Sequence, residues 1–169
     1  MLQEELLSSL LTSLPPPSSI QQESVANIRE RYLTLQALYP EHLIPALDLL
    51  DRNMVEFLYH EDQGVEVGAY YVRSTKDKPT SRRRNANYSA ERLHEIRISA
   101  WTCSCAAFAF AVFPSLEPAG HDVSDHRMQP MCKHLLACLF IDRGKGAGWE
   151  KSYQRRRVSL EELAGLAAG

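Results

Sequence analysis

The residues that most restrict how this chain can fold lie between Cys103 and His134. Cys103 and Cys105 form a Cys-x-Cys pair, 26 residues follow, and Cys132-Lys133-His134 completes the set. Three thiols and one imidazole close a tetrahedral metal site of the kind structural zinc prefers, so the fold has to bring both pairs to one point. Residues i and i+2 of a strand share a face, which predicts that Cys103 and Cys105 face one ion from the end of a strand. The second pair opens an apolar run from His134 to Phe140, the start of a helix. The N–H groups and positive dipole end of such a helix favour thiolate over thiol.

Catalytic zinc keeps three protein ligands and an open position. Cys103, Cys105, Cys132 and His134 already supply four, which predicts one closed, structural Zn2+. Lys133 offsets the surplus negative charge that three thiolates leave around a divalent ion. Thiolates also suit iron–sulfur clusters, and the opposing reading is that the cysteines are buried apolar residues. Cys138 lies four residues past His134 and can share its helix face, but one turn into an apolar helix it is expected in the core. His121, Asp122, Asp125 and His126 fall in a long loop, 114–130, within reach of the metal.

The 169 residues, 44% hydrophobic and 24% charged, suit one domain with appendages. No apolar run approaches the roughly 20 residues needed to span a bilayer. Met1–Glu5 lacks the basic residues of a signal peptide, so an intracellular setting with metal-bound or reduced cysteines is expected. Residues 1–19 hold a leucine stripe (Leu2, Leu6, Leu7, Leu10, Leu11, Leu14) and a stiff linker, Pro15–Pro17 with two serines. Residues 20–53 hold two helices. One runs from Ser24 to Tyr39, with Val25, Ile28, Tyr32, Leu35 and Tyr39 on one face. The other covers 42–52, with Leu43, Ala46, Leu47 and Leu50 inward. Residues 54–142 hold strands at 54–60, 65–72 and 93–101, an antiparallel meander whose last strand delivers Cys103 and Cys105. A polar basic loop, 74–92, interrupts it, with Lys76, Lys78, Arg82, Arg83 and Arg84. The alternating small and aromatic residues 106–113 fit helix or strand. Residues 143–169 form a linker and a short helix opened by the capping-box pattern Ser159–Glu162. The predicted class is α+β.

Cys103-x-Cys105 with Cys132-x-His134 resembles the SWIM zinc finger. With Ala46–Arg52, Cys103–Phe110 and Cys132–Ala137, the resemblance extends to the SWIM-domain subunits of the Shu complex, over about residues 24–141. It implies a zinc-bound ββα-like finger in a non-enzymatic nuclear protein of homologous recombination. Such subunits pair with a paralogue of the RecA-family recombinase and help recombinase filaments persist on single-stranded DNA. The leucine stripe and the helix at 42–52 are the expected contact faces. The segments 74–92 and 114–130 are longer than in small members of that family.

The charge is split along the chain. Residues 1–66 carry eleven acidic and three basic side chains, residues 67–169 ten and sixteen. Such a split marks a nucleic-acid face, a partner of opposite pattern, or merely solvated charge. The alternative function is therefore direct nucleic-acid binding through the basic clusters at 73–84 and 143–157. No Ser/His/Asp set, paired-carboxylate motif or phosphate-binding glycine loop points to an enzyme, and neither a membrane nor a small-molecule substrate is expected.

Overall fold

The structure, a computed structural model, describes residues 2–12, 14–17, 25–74, 92–113 and 129–168. Its elements run α1 (Leu2–Leu11), α2 (Val25–Leu38), α3 (Leu43–Asp51), β1 (Val55–Asp62), β2 (Val65–Ser74), β3 (Arg92–Arg97), β4 (Thr102–Cys103), α4 (Ala106–Val112), α5 (Lys133–Arg143), a 3-10 turn at Trp149–Lys151, β5 (Tyr153–Arg157) and α6 (Leu160–Ala168). The fold is α+β. The basic residues from Lys76 to Arg84 and the loop residues His121, Asp122, Asp125 and His126 lie outside the described residues, and nothing is assigned to them.

The sheet has the order β4-β3-β2-β1-β5. Four strands form the antiparallel meander, with Val55 opposite Val72 and Tyr70 opposite Ile96. Gln63 and Gly64 both take positive φ, 50° and 82°, as a two-residue hairpin loop requires, and glycine does so without steric cost. The fifth strand corrects the sequence reading. The basic run Arg155–Arg157 belongs to β5, which pairs in parallel with β1, Val55 opposite Tyr153. The predicted third strand also ends early, at Arg97. The chain then turns over Ile98–Trp101 and returns as β4.

One large core lies between the sheet and the helices. Helix α5 is its centre: every residue from His134 to Ile141 is buried. A helix apolar on all sides is stable only when covered on all sides, and here α1, α3, the 3-10 turn, β3 and β4 surround it. Leu43, Ala46 and Leu50 of α3 face inward as expected, with Leu49 buried in place of the half-buried Leu47. In the leucine stripe, Leu7, Leu11 and Leu14 enter this core, whereas Leu6 is 48% exposed. The proline stretch is fastened to the body. Leu14 and Pro15 donate no side-chain bonds, but their carbonyls accept from Trp149 Nε1 at 2.7 Å and from Tyr32 Oη at 2.6 Å. Arg31 closes α1 from the neighbouring helix, donating to the carbonyls of Ser9, Leu10 and Thr12, where a cation meets the negative helix end. On the opposite face of the sheet, Leu58, Ala69, Tyr71 and Val158 form a small second cluster under Leu163 and Leu166 of α6. The capping pattern is half realised: Ser159 Oγ accepts from Glu162 N–H, while the Glu162 carboxylate pairs with Arg156. Among the described residues, no helix is long and apolar enough to cross a membrane.

Candidate metal centre

Cys103 ends β4, and Cys105 is the N-cap of α4. The two thiols are therefore not successive same-face residues of one strand. The backbone is extended at Cys105 (φ −79°, ψ 150°), and its sulfur turns to accept the Phe108 N–H at 3.3 Å. Cys132 repeats the arrangement at the start of α5, with an extended backbone and a sulfur that accepts the Leu135 N–H at 3.4 Å. Two helix N-termini thus present unsatisfied N–H groups and positive dipole ends to two of the three sulfurs. His134, the second residue of α5, contributes the fourth group.

The four candidate ligand atoms lie within 4.8 Å of one another, and all four residues are buried. His134 Nδ1 is 4.0 Å from Cys103 Sγ. A tetrahedral zinc separates its ligand atoms by roughly 3.5–3.8 Å, from Zn–S of about 2.3 Å and Zn–N of about 2.0 Å, so small side-chain adjustments suffice. No other group of three or more potential ligands converges in this way among the described residues. All four cysteines are free thiols. Cys138 stands outside the cluster, in the apolar body of α5, and burial holds its thiol far above the ordinary range.

The sulfurs are not equivalent. Cys103 donates its proton toward Cys105, which holds the Cys103 thiol far up, while hydrogen bonds received from Cys103 and Cys132 hold Cys105 far down. A hydrogen bond from Cys103 lowers Cys132, but its own bond to Cys105 and burial outweigh this and push it up to about 11. A divalent cation displaces such shared protons, because cysteine binds metal as thiolate. His134 is 4% exposed and turns Nδ1 toward Cys103, while its Nε2 has no hydrogen-bond partner. Ligation through Nδ1 offsets the cost of burying that nitrogen. Donor set, burial and spacing all fit one metal ion.

Three supporting residues carry no signal in the sequence reading. Ser104 locks the Cys-x-Cys link to β3 twice, its N–H donating to Glu95 O at 3.0 Å and its Oγ accepting from Glu95 N–H at 2.9 Å. Trp101 takes φ 50°, a left-handed conformation uncommon for a bulky residue. Its indole N–H holds the Pro130 carbonyl at 2.9 Å, tying the turn before one cysteine pair to the segment before the other. His94 of β3 packs on the His134 ring, centroids 4.5 Å apart.

The basic C-terminal cluster has a different destination. Arg155 makes a two-pronged pair with Glu66 at 2.8 and 2.9 Å. Arg156 bridges Glu56 and Glu162, and Arg157 reaches Glu61 at 3.5 Å. Arg143 pairs with Glu4 and Asp142. Part of the acidic–basic split along the chain is therefore answered inside the molecule, β1 and β2 against β5. Comparison with known protein families and with curated proteins finds no match for this sequence.

Proposed function

We propose that Cys103, Cys105, Cys132 and His134 bind a single structural Zn2+, and that the chain is a non-enzymatic interaction subunit. In this reading it pairs with a paralogue of the RecA-family recombinase in the nucleus and supports recombinase filaments on single-stranded DNA. The observation that carries the proposal is the closed Cys3His set, built by β4, α4 and α5 in a ββα arrangement with β3. A fully ligated ion in a buried site shapes a surface and leaves no position for a substrate. The partner follows from the SWIM-like motif and its flanking residues, not from the metal geometry.

We place the contact face on α4 rather than on the leucine stripe or the helix at 42–52. The buried leucines of α1 and the inner face of α3 are consumed by the core of this chain. Helix α4 is the better candidate. It has no charged residue, and it exposes Phe110 (69%), Val112 (39%) and Phe113 (75%). Its first turn hangs on the metal ligand Cys105, so zinc sets the position of this apolar face. Direct nucleic-acid binding through the C-terminal arginines is less well supported, because Arg155, Arg156 and Arg157 face carboxylates.

The test is co-expression with a RecA-family paralogue, followed by metal analysis of the purified complex. One zinc per chain and a stable heterodimer are expected, with both lost in Cys105→Ser. Phe110→Glu should retain zinc and lose pairing. A heterodimer that survives Cys105→Ser without metal overturns the zinc role, and zinc-loaded protein that pairs with no such paralogue overturns the partner.

A further inference from the structure

A second site lies on the same sheet face as the metal centre but toward the other edge of the sheet, where β1, β2 and β5 flank the C-terminal end of α5. A cleft of about 320 Å3 opens there between Phe57, Tyr70 and Tyr153 of the strands and Trp149 of the 3-10 turn, within the range of small-ligand sites. The strand residues share one face because the pairing places Phe57 opposite both Tyr70 and Arg155. Gly68, opposite Tyr59, keeps that face open: a Cβ there would lie 2.9 Å from the Phe57 ring and 3.0 Å from Tyr59 Cβ. Phe57 and Tyr70 meet at 4.7 Å between centroids.

The charges around these rings do not cancel. Glu66, Asp142 and Glu150 line the cleft with two cations, Lys145 and Arg155. Arg155 is already paired with Glu66, and Lys145 with Asp142 at 3.4 Å. Glu150 is left with the Gly146 N–H at 3.1 Å and no cation among the described residues. The fold also shows what the rings accept. The Arg155 guanidinium sits 4.7 Å from the Tyr59 centroid and 5.8 Å from that of Phe57, inside the range of favourable cation–π contact.

We propose that this cleft binds an organic cation, the guanidinium or methylated ammonium group of a partner's side chain, against the half-buried rings of Phe57 and Tyr153 and with Glu150 as counter-charge, the buried Tyr70 and Trp149 forming the floor. Arg155 occupies the edge of the site as an internal competitor. Phosphate-bearing ligands are disfavoured, because they would approach three carboxylates. The proposal is independent of the zinc and recombination readings.

The test is a two-dimensional NMR titration of the full-length chain, following the Trp149 indole and the amides of Glu150 and Tyr153. The probes are N-acetyl-arginine amide, N-acetyl-trimethyllysine amide and a short single-stranded oligothymidylate. Saturable shifts with either cation support the proposal, and the tighter of the two names the source. Glu150→Gln should weaken binding by about threefold to fivefold, the scale of one exposed ion pair. Arg155→Gln should tighten it by about the same factor, with the β5 amides reporting that the strand still pairs. Two results overturn the site. One is no saturable cation shift in the wild type, Glu150→Gln and Arg155→Gln alike. The other is an oligothymidylate shift at these residues that Arg155→Gln abolishes, because that assigns the arginine to phosphate.

Discussion

Helices α4 and α5 begin in the same way and end in opposite environments. Each starts on a cysteine N-cap whose sulfur accepts the N–H of the third helical residue, Phe108 in one and Leu135 in the other, and that residue is buried in both. Beyond this first turn α5 is enclosed on all sides, whereas α4 turns its phenylalanines outward. Burial of large apolar side chains contributes about 1.5–3 kcal/mol each, so α5 is held by packing along its whole length. Helix α4 has only seven residues, too few to persist alone, and its fixed points are Cys105 and Phe108. The same cap therefore serves an anchor in one case and a suspended element in the other.

On the proposed zinc reading, chelation is the strongest way to break this comparison, because structural zinc sites contribute about 10 kcal/mol or more of apparent binding free energy in small fingers. Chelation of the zinc-loaded protein should abolish amide hydrogen-exchange protection in α4 and β4 while the last turns of α5, Leu139–Arg143, stay protected. Simultaneous opening of both helices would show that the ion clamps the entire core. In the other direction, Phe140→Ala removes a ring packed on Tyr32 and Trp149 and should cost about 3–5 kcal/mol, measured by denaturant unfolding. A much smaller loss would mean that α5 is less central than its burial indicates.

How much of this was legible in the sequence differs between the two helices. The apolar run after His134 announced α5, and the paired spacing announced the four residues that converge. The alternation in 106–113 left α4 open, because seven small and aromatic residues satisfy either period. Strand β5 was hidden for another reason: Tyr153–Arg157 has one half-buried residue and four exposed ones, so no hydrophobic pattern marks it. What holds it is parallel pairing and carboxylates 89 to 100 residues away in sequence, a separation that local periodicity does not encode. Trp101 looked like the end of a strand, since its left-handed backbone depends on a hydrogen bond to Pro130 across the long loop.

The buried thiol of Cys138 gives a pH-dependent form of the same contrast, since α4 has no counterpart. Burial raises its folded pKa above the ordinary value of 9.0. A raised acid contributes its full stability below pH 9 and loses it as pH rises, because unfolding lets the thiol ionise. One such group adds a slope of about 1.4 kcal/mol per pH unit. Cys138→Ala should be less stable at pH 7 through lost packing, yet fall less steeply between pH 9 and 10. Parallel stability curves for the two proteins across that interval would place the thiol in contact with water.

The smallest expected effect sharpens the comparison most. Phe110→Ser on α4 removes an apolar side chain that is 69% exposed, so its effect on unfolding free energy should stay within about 0.5 kcal/mol. Serine and phenylalanine have nearly equal helix propensity, so the substitution adds little on that account. Leu136→Ala in α5, fully buried, should cost about 2–5 kcal/mol. If Phe110→Ser is silent in unfolding and zinc content but weakens pairing with a partner chain, the exposed ring is retained for contact. If it instead destabilises the isolated protein by more than about 1 kcal/mol, Phe110 is covered within this chain, and α4 is a second anchor. A seven-residue helix that spends so little of its apolar surface on its own fold has that surface available for another molecule.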